Sequence, residues 1–538
     1  MTITSFFLID LAPEWLLLLG ACACLVVGIS AYRMHRFVSP VALVTLLASL
    51  IAAVLLPRFG CATHPPGLQV TPLTDYVRCI TLGMGLLIVL VNWRQSVAEE
   101  RGEYMSMILF SLLGVLLTAS ANDLIVLFFA IELVSIPTYV LIGLSREDKR
   151  APESAVKYFF LGAMSTAILA YGLSFLYGAA GTTTMHALSS GASNLPLGPQ
   201  PGGSALIGLL LVVGGLAFKV AAVPLHVYAP DVYEGAASPV TALLGFVPKM
   251  AGFAALIKVA ALCDWSLPTS LQWVLWAMAA ATMTAGNVLA LLQTNVKRML
   301  AYSSIAHTGY MLIALLVGPH GADGPLRDGA AALLFYIAVY GVMNLGAFAL
   351  LAAFQTGQRS PEDLDDLAGL ATIAPWPALA FAVCLFSLMG FPPTAGFLGK
   401  FYIFSSALSV PAEHSFSRPI LALAIIGVVN TAIGVAYYLR IVAVIYGRSE
   451  GGEAAAAGGR PVRWGLGLSA VLMLILFAWP AGLAAPARRA GAAIGGRRDD
   501  RIHVTAATLQ LQPDLPSISS RSGSDTAERT DHGPDGSR

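Results

Sequence analysis

The chain has 538 residues, 57% of them hydrophobic and 11% charged, with a mean hydropathy of +0.75. Soluble domains carry about a quarter charged residues, so this composition excludes a soluble enzyme and predicts a polytopic membrane protein. A net charge of +1 from 31 basic and 30 acidic residues gives no field that would gather nucleic acid.

Apolar runs bounded by charge, Pro or Gly predict an all-α fold with about fourteen transmembrane helices. Asp10 and Glu14 stand where a cleavable leader would carry basic residues, so the first span is expected to be retained. Spans fall at 15–31, 37–56, 76–93, 104–120 and 122–144, ahead of the polar loop SREDKRAPES. Four more follow at 154–178, 204–227, 238–262 and 271–292, and the rest at 299–318, 329–355, 373–409, 419–447 and 463–483. From 484 the chain is rich in Ser, Gly and Pro and reads as a disordered polar tail.

Two spans are interrupted. The 373–409 run is too long for one straight crossing and holds Phe391-Pro392-Pro393, which breaks backbone hydrogen bonding inside it. Pro224 similarly interrupts the second half of 204–227. Proline-broken hydrophobic segments in two halves of a chain point to a transporter built from repeats, with its ion path beside the breaks.

Odd-numbered loops hold thirteen basic residues and even-numbered loops four, which predicts cytoplasmic odd loops and both termini periplasmic. The lysines break this pattern. Of seven, Lys157, Lys219, Lys249, Lys258 and Lys400 lie inside apolar runs, whereas nearly all arginines lie in loops or the tail. Three central lysines cost about 8–10 kcal/mol on insertion scales, so a compensating role is expected. Desolvation can bring a lysine towards neutrality while arginine stays charged, so a buried lysine can load and unload a proton. Lys258 and Lys157 lie near span ends and can snorkel to the interface. Lys219, Lys249 and Lys400 cannot, and Glu132 in the fifth span is the natural counter-charge for Lys219. His226 and His307 are possible relays, or braces between helices. Asp231, Glu234 and Glu153 read as loop acids, and Glu14, Asp123 and Asp264 as interfacial.

The six cysteines form no CxxC pair, and no nucleotide-binding glycine motif is present, so no cofactor or metal is expected in this chain. Cys61, Cys79 and Cys263 fall near one membrane face, without a pattern that demands a disulfide.

FFAIELVSIPTYVLIGL, ESAVKYFFLGAMSTAILAYG, LAFKVAAVPLHVYAPDVYEGAASPVTALLGFVPKMAGF, NVKRMLAYSSIAHTGYML and GFPPTAGFLGKFYIF together resemble the antiporter-like subunits of respiratory complex I, in wording subunit N of bacterial NADH:quinone oxidoreductase. The resemblance covers roughly residues 10–480. It implies three leading helices (1–103), two inverted five-helix repeats (104–262 and 263–447), each with a discontinuous helix, a last helix (448–483) and a tail (484–538). It also implies a subunit of the bacterial inner membrane, surrounded by other membrane-arm subunits. NADH, FMN, iron–sulfur clusters and quinone would then be handled by partner subunits. The family's proton-transfer positions fall on Glu132, Lys219, Lys249 and Lys400, with Lys157 and His226 at positions discussed as relays. Subunits L and M, and the large subunits of sodium/proton antiporters, share the layout. An antiporter subunit and a structural scaffold of the membrane arm are therefore the alternative readings.

Overall fold

A computed structural model describes residues 9–494 apart from 31–34, 56–66, 94–100, 147, 190–196, 198–199, 320–326, 357–361, 448–453 and 457–458. The chain divides into Met1–Gly496 and Arg497–Arg538, and the second unit, like Cys61, lies outside the described residues.

Six uninterrupted helices come first: α1 Ala12–Ser30, α2 His35–Leu55, α3 Pro72–Val91, α4 Arg101–Ser120, α5 Leu124–Gly143 and α6 Arg150–Ala180. After the short α7, Met185–Ser189, the seventh crossing is split into α8 Gly203–Lys219 and α9 Tyr228–Gly235. The eighth bends between α10 Ser238–Leu244 and α11 Val247–Leu262. Then come α12 Thr269–Leu291, α13 Val296–Val317 and α14 Gly329–Ala353. Strand β1, Phe354–Thr356, and the small α15, Leu370–Ile373, precede a twelfth crossing split into α16 Pro375–Met389 and α17 Ala395–Leu408. The chain continues through α18 Ser417–Gly447, β2 Ala454–Ala456, which pairs antiparallel with β1, α19 Gly459–Ala478 and α20 Ala481–Ile494.

Among the described residues, twelve crossings are long and apolar enough to span a membrane, and the two half-helices α8 and α16 open the two split ones. The split helices are the seventh and twelfth crossings, each the fourth of its five. Five is odd, so the second set enters the membrane from the opposite side, which makes the two repeats inverted.

Helix α14 buries every one of its residues, Asn344 included, and packs against α3, α13, α16, α17, α19 and α20. The eighth crossing, expected to run straight, bends at Gly245–Phe246 because Pro248 starts a new helix there. Helix α20 overlaps the stretch read as disordered tail. Its Leu483, Ala484, Ala487 and Ala490 form one buried stripe against α3 and α14, and small side chains permit that close approach.

Candidate functional site

The split in the seventh crossing follows from its sequence. Pro224 lacks an amide hydrogen, α8 ends at Lys219, and the chain reforms a helix only at Tyr228. Groups freed by the break are held by neighbouring side chains: Thr308 donates to the Val220 carbonyl at 2.7 Å, and the Val223 amide donates to Thr282 Oγ1 at 2.9 Å. At the twelfth crossing Gly390 adopts φ +84°, a left-handed end that glycine tolerates best, before Phe391-Pro392-Pro393. The last carbonyls of α16, those of Leu388 and Met389, accept hydrogen bonds from the Lys400 ammonium at 3.0 Å each.

Helix α5 carries Glu132, and its Asp123 N-cap accepts from the Ile125 amide at 2.8 Å. The Glu132 carboxylate lies 3.2 Å from Lys219 Nζ and accepts from Thr166 Oγ1 on α6 at 2.8 Å. Lys219, 4% exposed, also donates to Ser135 Oγ at 2.6 Å.

Lys249 lies in the first turn of α11, fully buried, where its ammonium donates to the carbonyl and hydroxyl of Ser304 on α13. The Tyr340 hydroxyl donates to the same Ser304 Oγ at 2.7 Å, and its ring lies 5.0 Å from Lys249 Nζ. A cavity of about 10 Å³, roughly one water position, is lined by both Lys219 and Lys249, with Tyr158, Tyr228 and Tyr233 around it.

One turn beyond Ser304, buried His307 bonds Tyr336 through Nδ1 at 2.6 Å and Tyr438 through Nε2 at 3.1 Å. It is near enough to interact electrostatically with both Lys249 and Lys400. Lys400 completes the line, 6% exposed and 5.1 Å over the Tyr310 ring.

The remaining expected residues lie apart from this line. Lys157 is half-exposed and pairs with Glu153 at 2.8 Å and Asp231 at 3.8 Å. His226 sits half-buried in the break between α8 and α9, with no ion pair among the described residues. Lys258 donates to the Ala121 carbonyl at 2.8 Å. Glu14, expected at an interface, is buried against Arg78 at 2.7 Å. Asp231 and Glu234, expected as free loop acids, both pair with Arg298 at 2.7 Å.

Sequence reasoning misses Ser135, Thr166, Ser304 and the tyrosines, whose residue types are common in membrane helices. It also misses a buried ionic knot. Glu362 pairs with Arg146 at 2.9 Å, Arg150 at 3.0 Å and the fully buried Lys297 at 3.8 Å. Burial alone pushes the Glu362 carboxyl up, but Lys297 and the two guanidiniums outweigh it and hold the group below its ordinary value. Among the described residues no group of three or more His, Cys, Asp or Glu could hold a metal ion.

Among the described residues, twelve long apolar crossings and two split ones, arranged as two inverted repeats with buried lysines beside both splits, define an antiporter-like membrane subunit. The family model described as "NADH:quinone oxidoreductase/Mrp antiporter, TM" matches residues 121–433. With relatives named subunit N aligned over most of its length, the chain belongs to the NADH-quinone oxidoreductase subunit N family. The Trichlorobacter lovleyi protein is 43% identical over 68% of this chain and 72% of its own length. The Rhodospirillum rubrum protein is 37% identical over 83% of this chain and 89% of its own length. Among solved structures, a chain of respiratory complex I from Thermus thermophilus with bound aureothin superposes with a TM-score of 0.71, at 30% identity. The match covers 89% of this chain and all of that one. A chain of the Mrp complex from Dietzia sp. shares the fold, with a TM-score of 0.77 at 20% identity.

Proposed function

We propose that this chain is a proton-translocating subunit of an inner-membrane NADH:quinone oxidoreductase. Redox chemistry in partner subunits drives protons through Glu132, Lys219, Lys249, His307 and Lys400. The observation that carries this reading is the Lys219–Glu132 pair at 3.2 Å, in line with two further buried lysines.

The helix ends set where along the line a proton rests. Lys219 sits in the last turn of α8, and Lys400 donates to the carbonyl end of α16; both are negative helix ends that attract an ammonium. Lys249 sits in the first turn of α11, a positive end that opposes one. While Glu132 is close, the proton rests on Lys219. Drawing the pair apart removes the attraction, and the proton passes through the cavity towards Lys249, then by Ser304 and His307 towards Lys400. Lys157 and His226 flank this line as possible relays. The neighbouring subunits are other membrane-arm chains, antiporter-like ones included, and both termini face the periplasm.

Proton uptake per NADH oxidised tests the proposal, using the reconstituted complex carrying Lys219→Ala or Glu132→Ala. A clear drop at unchanged assembly is expected; an unchanged ratio refutes the role of the pair. Sodium/proton exchange by the purified chain in liposomes would favour the antiporter reading. Full stoichiometry after neutralising Lys219, Lys249 and Lys400 together would favour the scaffold reading.

A further inference from the structure

We propose that the Tyr233 hydroxyl carries the proton from the cavity beside Lys219 to Ser304, and so into Lys249. Three tyrosines, Tyr158, Tyr228 and Tyr233, line that cavity together with both lysines. Tyr228 donates its hydroxyl proton to the Phe218 carbonyl at 2.8 Å, and the Tyr158 hydroxyl is hydrogen-bonded to Thr138. Tyr233 instead turns its hydroxyl to Ser304 Oγ, with 3.5 Å between the oxygens. Its neighbours hold it there. Tyr233 is buried, its ring lies edge-on to Phe348 of α14, and Asp231 and Glu234 on the same short helix both pair with Arg298.

The bonds around Ser304 select Tyr233 for this step. Lys249 Nζ is bonded to the Ser304 carbonyl and, at 2.6 Å, to its hydroxyl. A carbonyl only accepts, so a neutral Lys249 donates to it and takes its new proton from the hydroxyl. Ser304 must then be resupplied. Among the described residues two further hydroxyls reach Ser304 Oγ, Tyr340 at 2.7 Å and Tyr233. Tyr340 leads on to Asn344 Oδ1 at 3.3 Å, a carboxamide that neither gains nor gives up a proton at ordinary pH, whereas Tyr233 borders the cavity. A water in that cavity takes H⁺ from Lys219 Nζ and gives one to the Tyr233 hydroxyl oxygen. Tyr233 passes its own proton to Ser304 Oγ, and Ser304 passes its own to Lys249 Nζ. Each oxygen gains one proton and loses one, no tyrosinate forms, and the charge moves from one lysine to the other. Hydroxyl-to-oxygen bonds are ordinarily about 2.7–2.8 Å. At 3.5 Å the Tyr233–Ser304 contact is therefore the open link of the chain, in a structure where Glu132 still holds Lys219. Once Lys249 is loaded, the same Ser304 hydroxyl can turn away from Tyr233 and serve the onward step.

The relay rests on proton transfer through Lys219 and Lys249, so both are read in one assay, the proton-to-NADH ratio of the reconstituted complex. Tyr233→Phe keeps the ring against Phe348 and removes the hydroxyl, and its ratio should fall to that of Lys219→Ala. An unchanged ratio for Tyr233→Phe beside a lowered one for Lys219→Ala overturns the relay alone; unchanged ratios for both overturn the reading beneath it. Tyr233→Phe combined with Ser304→Ala should fall no further than either change by itself, because both lie on one route, and summed losses overturn the relay. Tyr340→Phe should retain more pumping than Tyr233→Phe, and the reverse order overturns the choice of Tyr233.

Discussion

Lys219 on α8 reaches Glu132 on α5 across 3.2 Å, and the lysine is buried to 4% exposure while the carboxylate side chain keeps 18%. Removing one partner of such a pair leaves an uncompensated buried charge, which costs more than removing both. Because Glu132 is partly exposed, Glu132→Gln should cost about 2–3 kcal/mol, below the range of about 3–5 kcal/mol for fully buried pairs. Glu132→Gln combined with Lys219→Met should recover at least about 1 kcal/mol of that loss. The thermal midpoint of the purified complex reads both; purely additive losses would show that the two residues are not coupled.

Gly390 holds Lys400 in place by having no side chain. Its φ of +84° costs a non-glycine residue about 1–2 kcal/mol, and an added Cβ would stand 2.9 Å from Lys400 Cδ. Gly390→Ala should therefore destabilise the break and push the ammonium off the Leu388 and Met389 carbonyls. The expected result is a proton-to-NADH ratio reduced in the same direction as by Lys400→Ala, at near-normal assembly. A variant that loses thermal stability but pumps normally would separate the glycine from the lysine.

What the sequence makes legible here follows from the solvent. In a run such as GGLAFKVAAVP, a lysine and a proline are conspicuous because hydrocarbon tolerates neither without compensation, so Lys219, Lys249, Lys400 and both breaks can be read directly. Serines and tyrosines carry no such penalty, and only packing reveals that Ser304 faces Lys249 and that Tyr336 and Tyr438 grip His307. The bend at Gly245–Phe246 does leave a signal, Pro248, but a proline at the first turn of a new helix looks the same as one tolerated in a span. Lys297 is concealed by position: beside Arg298 it reads as a loop cation, yet the start of α13 buries it completely. Helix α20 is concealed by composition, since alanine and glycine next to a polar tail look unstructured until their one-sided stripe meets α3 and α14.

Ser304 supplies the side-chain contact between α13 and Lys249. Its hydroxyl accepts from the Lys249 ammonium at 2.6 Å and from Tyr340 at 2.7 Å, while its carbonyl also accepts from the lysine. Ser304→Ala removes the hydroxyl and keeps the carbonyl, and leaves the Tyr340 hydroxyl only its longer contact to Asn344 Oδ1 at 3.3 Å, at a cost of about 1 kcal/mol. The proton-to-NADH ratio should fall in Ser304→Ala and return in Ser304→Thr, which restores a hydroxyl. Failure of threonine to rescue would make the site a matter of packing rather than of hydrogen bonding.

The knot at Glu362 predicts a pH dependence. This carboxylate joins Arg146 and Arg150, from the start of α6 and the loop before it, to Lys297 on α13, so it ties the first repeat to the second. Its Oδ-bearing neighbour Asp366 accepts from the Glu362 amide at 3.0 Å, and Arg298 nearby is occupied by Asp231 and Glu234. Glu362 titrates below its ordinary value in the folded protein because the cations outweigh the cost of burial. Its stabilising contribution is therefore fully present above the unfolded glutamate value of about 4.3, and is lost as pH falls through the lower folded value. Wild-type complex should thus lose thermal stability steeply on acidification below about pH 4, the unfolded-state range for glutamate. Glu362→Gln should start lower at neutral pH, because Lys297 has no exposed surface through which water could replace the lost charge. It should also show a shallower decline in acid. Parallel acid profiles for the two proteins would mean that folding leaves the proton affinity of this carboxyl unchanged, and that the surrounding cations do not hold it in its charged form.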